Sequence, residues 1–153
     1  VGAARDAETL TKLRAQIEAA NFAGRITLAG SKTDAELAGI YETADLFVMP
    51  SLFEGYGMVL AEAMARGLPI VCTTGGAAAE TAPDAAAQKV VPGDANAYGQ
   101  ALRRVMEDSA LRRGMAEASW NASLMLPTWD DAAKRIAAVL NTISRVHAGA
   151  KVA

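Results

Sequence analysis

Between Asp45 and Ala65 the chain passes from the apolar run Leu46-Phe47-Val48-Met49, through a loop carrying Gly55 and Gly57, into a helical period. Four consecutive apolar residues are too short for a core helix and read as a strand covered on both faces. Strands of that kind belong to parallel sheets, because one-sided sheets alternate polar and apolar residues. The same alternation recurs elsewhere. Ala7 to Ala20 has a helical period in Leu10, Leu13, Ile17 and Ala20, with Asn21 as its stop. Arg25 to Ala29 reads as a short strand ended by Gly30, and Thr33 or Asp34 caps a helix bearing Leu37, Ile40 and Tyr41 on one face. Met58 to Ala65 is helical and closed by Arg66-Gly67. Pro69 to Cys72 is another strand, stopped by Thr73-Thr74-Gly75-Gly76, and Gln88 to Val91 another, ended by Pro92-Gly93. Single helices between strands require parallel pairing and right-handed crossovers. The expected fold is therefore α/β, a doubly wound parallel sheet with extra C-terminal helices. Those helices run from an Asp94 cap to about Glu107, from a Ser109 cap towards Leu124, and, after Pro127, from Thr128 or Trp129 onward. The last one carries Ala133, Ile136, Leu140 and Ile143 on one face. Gly76 to Ala87 reads as a loop with one short helix, residues 1–148 as a single domain, and 149–153 as a frayed tail.

Composition narrows the function. With 153 residues, 52% hydrophobic and 21% charged, the chain can build a core and is not disordered. A net charge of -2 gives no bulk attraction for nucleic acid, which is not an expected partner. Cys72 and His147 are the one cysteine and the one histidine, so a disulfide framework, a Cys-based zinc site and a multi-histidine metal site are all excluded. No apolar run reaches the roughly 18–20 residues of a bilayer span. Val1 to Asp6 has none of the blocks of a signal peptide, and a cytoplasmic location is the expectation.

Ligands of doubly wound sheets bind beyond the carboxyl ends of the strands, which here points to residues 30–32, 50–56 and 73–77. In Pro50 to Glu62 a strand ends, a glycine loop turns, and a helix begins near Gly57 or Met58. Glycines let backbone amides approach a ligand, and the helix start supplies unpaired N–H groups and a positive dipole end. Glu62 lies about one turn into that helix, where its two carboxylate oxygens suit a vicinal diol. Phosphate at a helix tip beside a ribose diol is nucleotide chemistry. Strand–glycine–helix turns also occur without ligands. Gly-x-Gly lacks the third glycine of a dinucleotide loop, and no Gly-Lys-Ser/Thr follows, so spacing alone leaves both readings open.

The run Ala44 to Glu80 resembles the donor-binding core of the large retaining glycosyltransferase family with the GT-B fold, of the group 1 or family 4 type. That family includes sucrose synthases, glycogen synthases and many bacterial mannosyl- and glucosyltransferases. Its signature is two glutamates separated by seven residues, matched by Glu54 and Glu62. The flanks match too: Ala44-Asp45, Pro50-Ser51, Glu54-Gly55-Tyr56-Gly57, Glu62-Ala63-Met64-Ala65, Gly67-Leu68-Pro69 and Gly75-Gly76. Weaker likeness continues through Gly30, Pro92-Gly93-Asp94 and Trp129. The resemblance implies the Rossmann-like C-terminal half of a GT-B enzyme, binding a nucleotide-diphosphate-sugar. It implies that Glu54 is the catalytic-site carboxylate contacting donor-sugar hydroxyls and that Glu62 holds the ribose. It places the diphosphate on the amides of Gly57, Met58 and Val59, within a loop that includes Gly55 and Tyr56, and the base beside Ser31 and Lys32. The reaction it implies is a same-face displacement assisted by the leaving diphosphate, without metal or other cofactor. Positive groups that stabilise the leaving group then matter most.

The family also carries Gly-Arg followed by Lys, which clamp the diphosphate. Arg5 and Lys12 do not match that spacing, and Val1-Gly2 is similar to the end of the family's second strand. The resemblance thus implies a domain lacking its first strand and helix and its N-terminal acceptor domain, inactive alone. Peripheral membrane association of the full enzyme and self-association through an exposed sheet edge are further expectations. A non-catalytic nucleotide-sugar-binding module acting with a partner chain is the alternative, and a sugar-nucleotide epimerase is a third reading. Other residues read as structural: His147 at a helix end, Cys72 as a small buried hydrophobe, Trp120 and Trp129 packed under the C-terminal helices. Arg103, Arg104, Arg112 and Arg113 read as solvated helix faces, and Glu80 as a residue ordering the Gly75-Gly76 loop.

Overall fold

The computed structural model describes residues 1–149, with side-chain surroundings through 143. The tail beyond Gly149 and the side chain of His147 lie outside the described residues. The backbone forms two compact units, one spanning Val1–Ala44 and one starting at Asp45.

The first unit holds α1 (Ala7–Ala19) and α2 (Asp34–Thr43). Asp6 caps α1 by accepting the Thr9 N–H at 2.8 Å, and Asn21 takes a left-handed φ of 57° just past its end. That conformation is how a helix commonly stops. Thr33 caps α2 in a reciprocal box: its hydroxyl accepts from the Glu36 N–H, and Glu36 accepts from the Thr33 N–H at 2.9 Å. The Thr33 N–H, then the Lys32 ammonium, hold the Glu36 carboxyl down to about 2. No strand forms over Arg25–Ala29, contrary to expectation. A strand requires a ladder beside it. Among the described residues none pairs with this segment, and its flank shows only the Gly2 N–H donating to the Gly30 carbonyl at 2.8 Å. Ile26 and Leu28 remain 43% and 41% exposed.

The second unit holds a parallel sheet of β1 (Phe47–Met49), β2 (Ile70–Thr73) and β3 (Ala87–Val90), in that order. Phe47 aligns with Ile70, and Ile70 with Ala87. The helices are α3 (Met58–Ala65), α4 (Ala78–Thr81), α5 (Ala95–Glu107), α6 (Ser109–Ser123) and α7 (Trp129–Gly149). The strand buried throughout is β2 rather than β1. With β2 on one side only, β1 is an edge among the described residues, and Val48 is 46% exposed. Val71, Val105 and Met115 form one cluster of the core, with Leu46, Tyr98, Leu102 and Leu111 packed against them, and Leu60, Met64 and Ile70 are fully buried as well. Cys72 is buried and free, as expected of a small hydrophobe, and burial pushes its thiol pKa up.

Several helix ends differ from the sequence reading. Asp108, not Ser109, caps α6, because its carboxylate reaches the N–H groups of Ala110 and Leu111 at 3.0 and 2.9 Å. Arg112 is no solvated face: its guanidinium donates to the carbonyls of Val105 and Met106 at 3.0 and 2.8 Å, satisfying the end of α5. Arg103, Arg104 and Arg113 are exposed as expected. Thr128 and Asp131 form the box that starts α7. Neither tryptophan is packed away: Trp120 is 51% and Trp129 90% exposed. The stripe of Ile136, Leu140 and Ile143 is at least half exposed too, so this face of α7 provides no cover for a ring among the described residues. No described helix is long and apolar enough to cross a membrane.

A buried polar contact ties α6 to the start of β2. The Ser119 hydroxyl donates to the Leu68 carbonyl at 2.6 Å, and Ser119 is fully buried. Ser119→Ala strands that carbonyl without a partner. A loss of about 1–3 kcal/mol is expected in urea unfolding, the cost of an unsatisfied buried group. An unchanged midpoint would show that water replaces the hydroxyl.

Candidate functional site

The loops leaving β1 and β2 are joined edge to edge. The Glu54 N–H donates to the Gly75 carbonyl at 3.1 Å, and the Ala77 N–H donates to the Glu54 carbonyl at 2.9 Å. This makes an isolated parallel bridge between Glu54 and Gly76. The Thr73 hydroxyl adds a hydrogen bond to the Ser51 carbonyl. Only glycines permit the approach. A Cβ at Gly75 would strike the Leu52 carbonyl oxygen, and one at Gly76 the Glu54 carbonyl oxygen. Gly76 also has a left-handed φ of 64°. Glu80, expected to order this loop, is exposed, and the backbone bridge does that work instead.

The bridge fixes the backbone of Glu54, and its side chain then turns back on its own loop. Oε1 accepts the Gly57 N–H at 3.1 Å and lies 3.4 Å from the Tyr56 N. Gly57 follows in the left-handed region, φ 83° and ψ 34°, and is the N-cap of α3 with no side-chain cap. The Leu60 and Ala61 N–H groups bond to the Gly57 carbonyl. Among the described residues the N–H groups of Met58 and Val59 have no acceptor. A helix start with two free N–H groups and its dipole end is an anion-binding arrangement. Glu62 is exposed on the same helix, one turn on.

Seven of the residues singled out from sequence therefore share one loop and the first turns of α3: Glu54, Gly55, Tyr56, Gly57, Met58, Val59 and Glu62. The Gly57 N–H already serves Glu54, which leaves the Met58 and Val59 N–H groups without an acceptor among the described residues. Gly55 stands in open space without a left-handed φ, so nothing in the backbone demands glycine there. Ser31 and Lys32 belong to the Val1–Ala44 unit, where the Lys32 ammonium pairs with Glu36 at 3.0 Å. Thr73 falls within the strand-end stretch read from sequence, whereas one supporting residue, Thr81, carried no sequence signal. The Thr81 hydroxyl lies 3.0 Å from the Tyr56 carbonyl and 2.9 Å from the Ala77 carbonyl.

Beside the loop, at the carboxyl ends of the strands, Pro50, Leu52, Thr73, Asp94 and Tyr98 line a cavity of about 310 Å³. The Tyr98 hydroxyl donates to the Val71 carbonyl at 2.7 Å, and burial pushes its pKa up to about 12. Among the described residues no three His, Cys, Asp or Glu side chains cluster as metal ligands.

Comparison with known proteins identifies the fold and the family. The family model described as Glycosyl transferases group 1 matches residues 1–121. The MMP alpha-(1->4)-mannosyltransferase of Mycolicibacterium hassiacum is 32% identical over 119 residues, covering 76% of this chain and 29% of that protein. Among solved structures, the sucrose-phosphate synthase of Thermosynechococcus elongatus superposes with a TM-score of 0.81 at 26% identity, covering 95% of this chain and 37% of that one. HepE of Anabaena, solved in complex with UDP, has a TM-score of 0.82 at 22% identity, covering 92% and 39%. The chain thus spans between about a quarter and two fifths of the length of these proteins. The fold is the α/β, Rossmann-like fold of the GT-B glycosyltransferases. With the two glutamates, the glycine bridge and the helix start all inside the matched segment, the chain belongs to the group 1 glycosyl transferases.

Proposed function

We propose that this chain is the donor-binding part of a retaining glycosyltransferase, moving a sugar from a nucleotide-diphosphate-sugar to an acceptor. The observation that carries the reading is the start of α3: two N–H groups without an acceptor among the described residues, at Met58 and Val59, on a helix that follows the Glu54 loop and carries Glu62 one turn on. The helix start takes the diphosphate and stabilises the charge that grows on it as the sugar departs. Glu62 takes the ribose diol, and Glu54 faces the hydroxyls of the sugar. No metal or organic cofactor enters this scheme. Because the chain spans a minor part of its relatives, the acceptor-binding elements and cationic clamp are proposed to lie in protein outside the segment compared. On this reading the 153-residue chain transfers no sugar alone, acts with an acceptor domain or partner chain, and works in the cytoplasm.

The test is calorimetric titration with UDP, GDP and ADP, their parent nucleosides, and the corresponding nucleotide-glucose and nucleotide-mannose donors. One diphosphate is expected to bind at least about tenfold more tightly than its nucleoside, as charge-assisted bonds to a helix start imply. Glu54→Gln keeps an oxygen for the Gly57 N–H but loses the charge. It should therefore weaken the nucleotide-sugar about tenfold and leave the bare diphosphate nearly unchanged. If nucleosides and diphosphates bind alike, or not at all, the donor reading fails.

A further inference from the structure

We infer that Thr81 is a positioning residue that sets the anion-binding start of α3 from the neighbouring helix α4. The inference rests on the donor-site reading for its functional consequence, though not for its geometry. The peptide between Tyr56 and Gly57 is held at both ends. Its N–H donates to the Glu54 carboxylate at 3.1 Å, and its carbonyl accepts from the Thr81 hydroxyl at 3.0 Å. Those two bonds fix the plane of the peptide that leads into Gly57. Gly57 sits at φ 83°, the conformation from which α3 starts, and the Met58 and Val59 N–H groups that follow have no acceptor among the described residues. Releasing either end lets the plane rotate and spreads the direction of both groups.

Thr81 does more than donate. Its side chain closes the space beside Gly57, where an added Cβ would lie 3.3 Å from Oγ1 and 3.5 Å from Cβ of Thr81. The hydroxyl proton is shared, because the carbonyl of Ala77, the N-cap of α4, is 2.9 Å away. Rotation of that proton links the placement of α4 to the loop. The placement of α4 is itself held by Lys89, whose ammonium donates to the Ala79 carbonyl at 2.7 Å and pairs with Asp84 at 2.7 Å. A strand residue, a four-residue helix and a glycine loop thus act in series on two N–H groups. Preorganised donors bind better because no ordering cost remains at binding.

Thr81→Val keeps the shape and removes the hydroxyl, whereas Thr81→Ser keeps the hydroxyl and removes the methyl. Two measurements separate positioning from plain stability. The first is amide hydrogen exchange of the unliganded chain by NMR. Thr81→Val should speed exchange of the Gly57 N–H about fivefold or more, and Thr81→Ser should leave it near the parent value. The second is titration with UDP, GDP and ADP against uridine, guanosine and adenosine. Thr81→Val should weaken the diphosphate that binds the parent about fivefold, spare its nucleoside, and be rescued by serine. Thermal unfolding of both variants should match the parent, since the Tyr56 carbonyl can turn to water. Parent-like exchange at Gly57 in Thr81→Val, or equal losses for diphosphate and nucleoside, would overturn the inference. A parent that binds no diphosphate, with Gly57 exchange faster in Thr81→Val, would uphold the positioning geometry and overturn its role in donor binding along with the donor reading.

Discussion

Gly76→Ala is expected to cost about 3 kcal/mol or more of folding stability and to abolish nucleotide binding. Two terms add. A non-glycine residue at φ 64° carries strain of about 1 kcal/mol or more. The new Cβ would also collide with the Glu54 carbonyl oxygen and lie 3.0 Å from Phe53 Cε2 and 3.1 Å from the Glu54 nitrogen. Phe53 can rotate away, but the Glu54 carbonyl cannot move without giving up the Ala77 N–H at 2.9 Å. Breaking that bond opens the bridge that fixes Glu54, so the site is lost with the stability. Urea unfolding followed by circular dichroism measures the first effect, and calorimetric titration at a denaturant-free temperature where the variant is folded measures the second. A loss below about 1 kcal/mol would show that the two loops separate freely, and that the Gly75-Gly76 pair serves something other than close approach.

Glu62→Ala is expected to weaken a nucleoside diphosphate by about 1.5–3 kcal/mol, the range for hydrogen bonds to a charged group. The side chain is exposed on α3 one turn from the Met58 and Val59 N–H groups, so a ligand seated at the helix start can reach it. Its contribution must depend on the hydroxyls it accepts from. The 2′,3′-dideoxy analogue should bind the parent weakly and lose little more in the variant, as a double cycle requires. Equal losses for ribose and dideoxy ligands would assign Glu62 to the architecture of α3 rather than to the ribose. The two predictions probe different things. The glycine tests whether the fold holds the loop, and the glutamate tests what the loop is for.

How legible these features were depends on the range of the forces behind them. The period of Met58 to Ala65, the stops at Asn21 and Gly67, and the caps at Thr33 and Asp94 are local, set by residues within one turn, and each appears where the sequence places it. Glu54 and Glu62 were readable together through the resemblance to the family's two-glutamate signature, since Glu54 lies in the loop before α3 and only Glu62 is on the helix. Asp108 and Arg112 were missed at α6 for a related reason. Adjacent Asp and Ser both cap well, and which of them does depends on where the preceding helix ends.

Features that need a second segment behaved otherwise. Arg25 to Ala29 has strand-like residues, yet no strand forms, since a ladder is a property of two segments. Burial of Val48, Trp120 and Trp129 also depended on covers that no residue pattern encodes. Thr81 is a common residue in a short helix, twenty-five positions from the carbonyl it contacts. By itself the sequence determined the parallel α/β fold, the loop that carries Glu54 and Gly57 and the helix that carries Glu62, because propensity, glycine conformation and helical period are short-range, and its motif carried the resemblance to the family. Only the tertiary structure decided that Glu54 engages its own loop, that Gly75 and Gly76 admit the neighbouring backbone, and that Thr81 steadies the start of α3. The glycine and Thr81 contacts join residues more than twenty positions apart, set by how the strands align and the loops meet, and the turn of Glu54 onto Gly57 follows once that bridge has fixed its backbone.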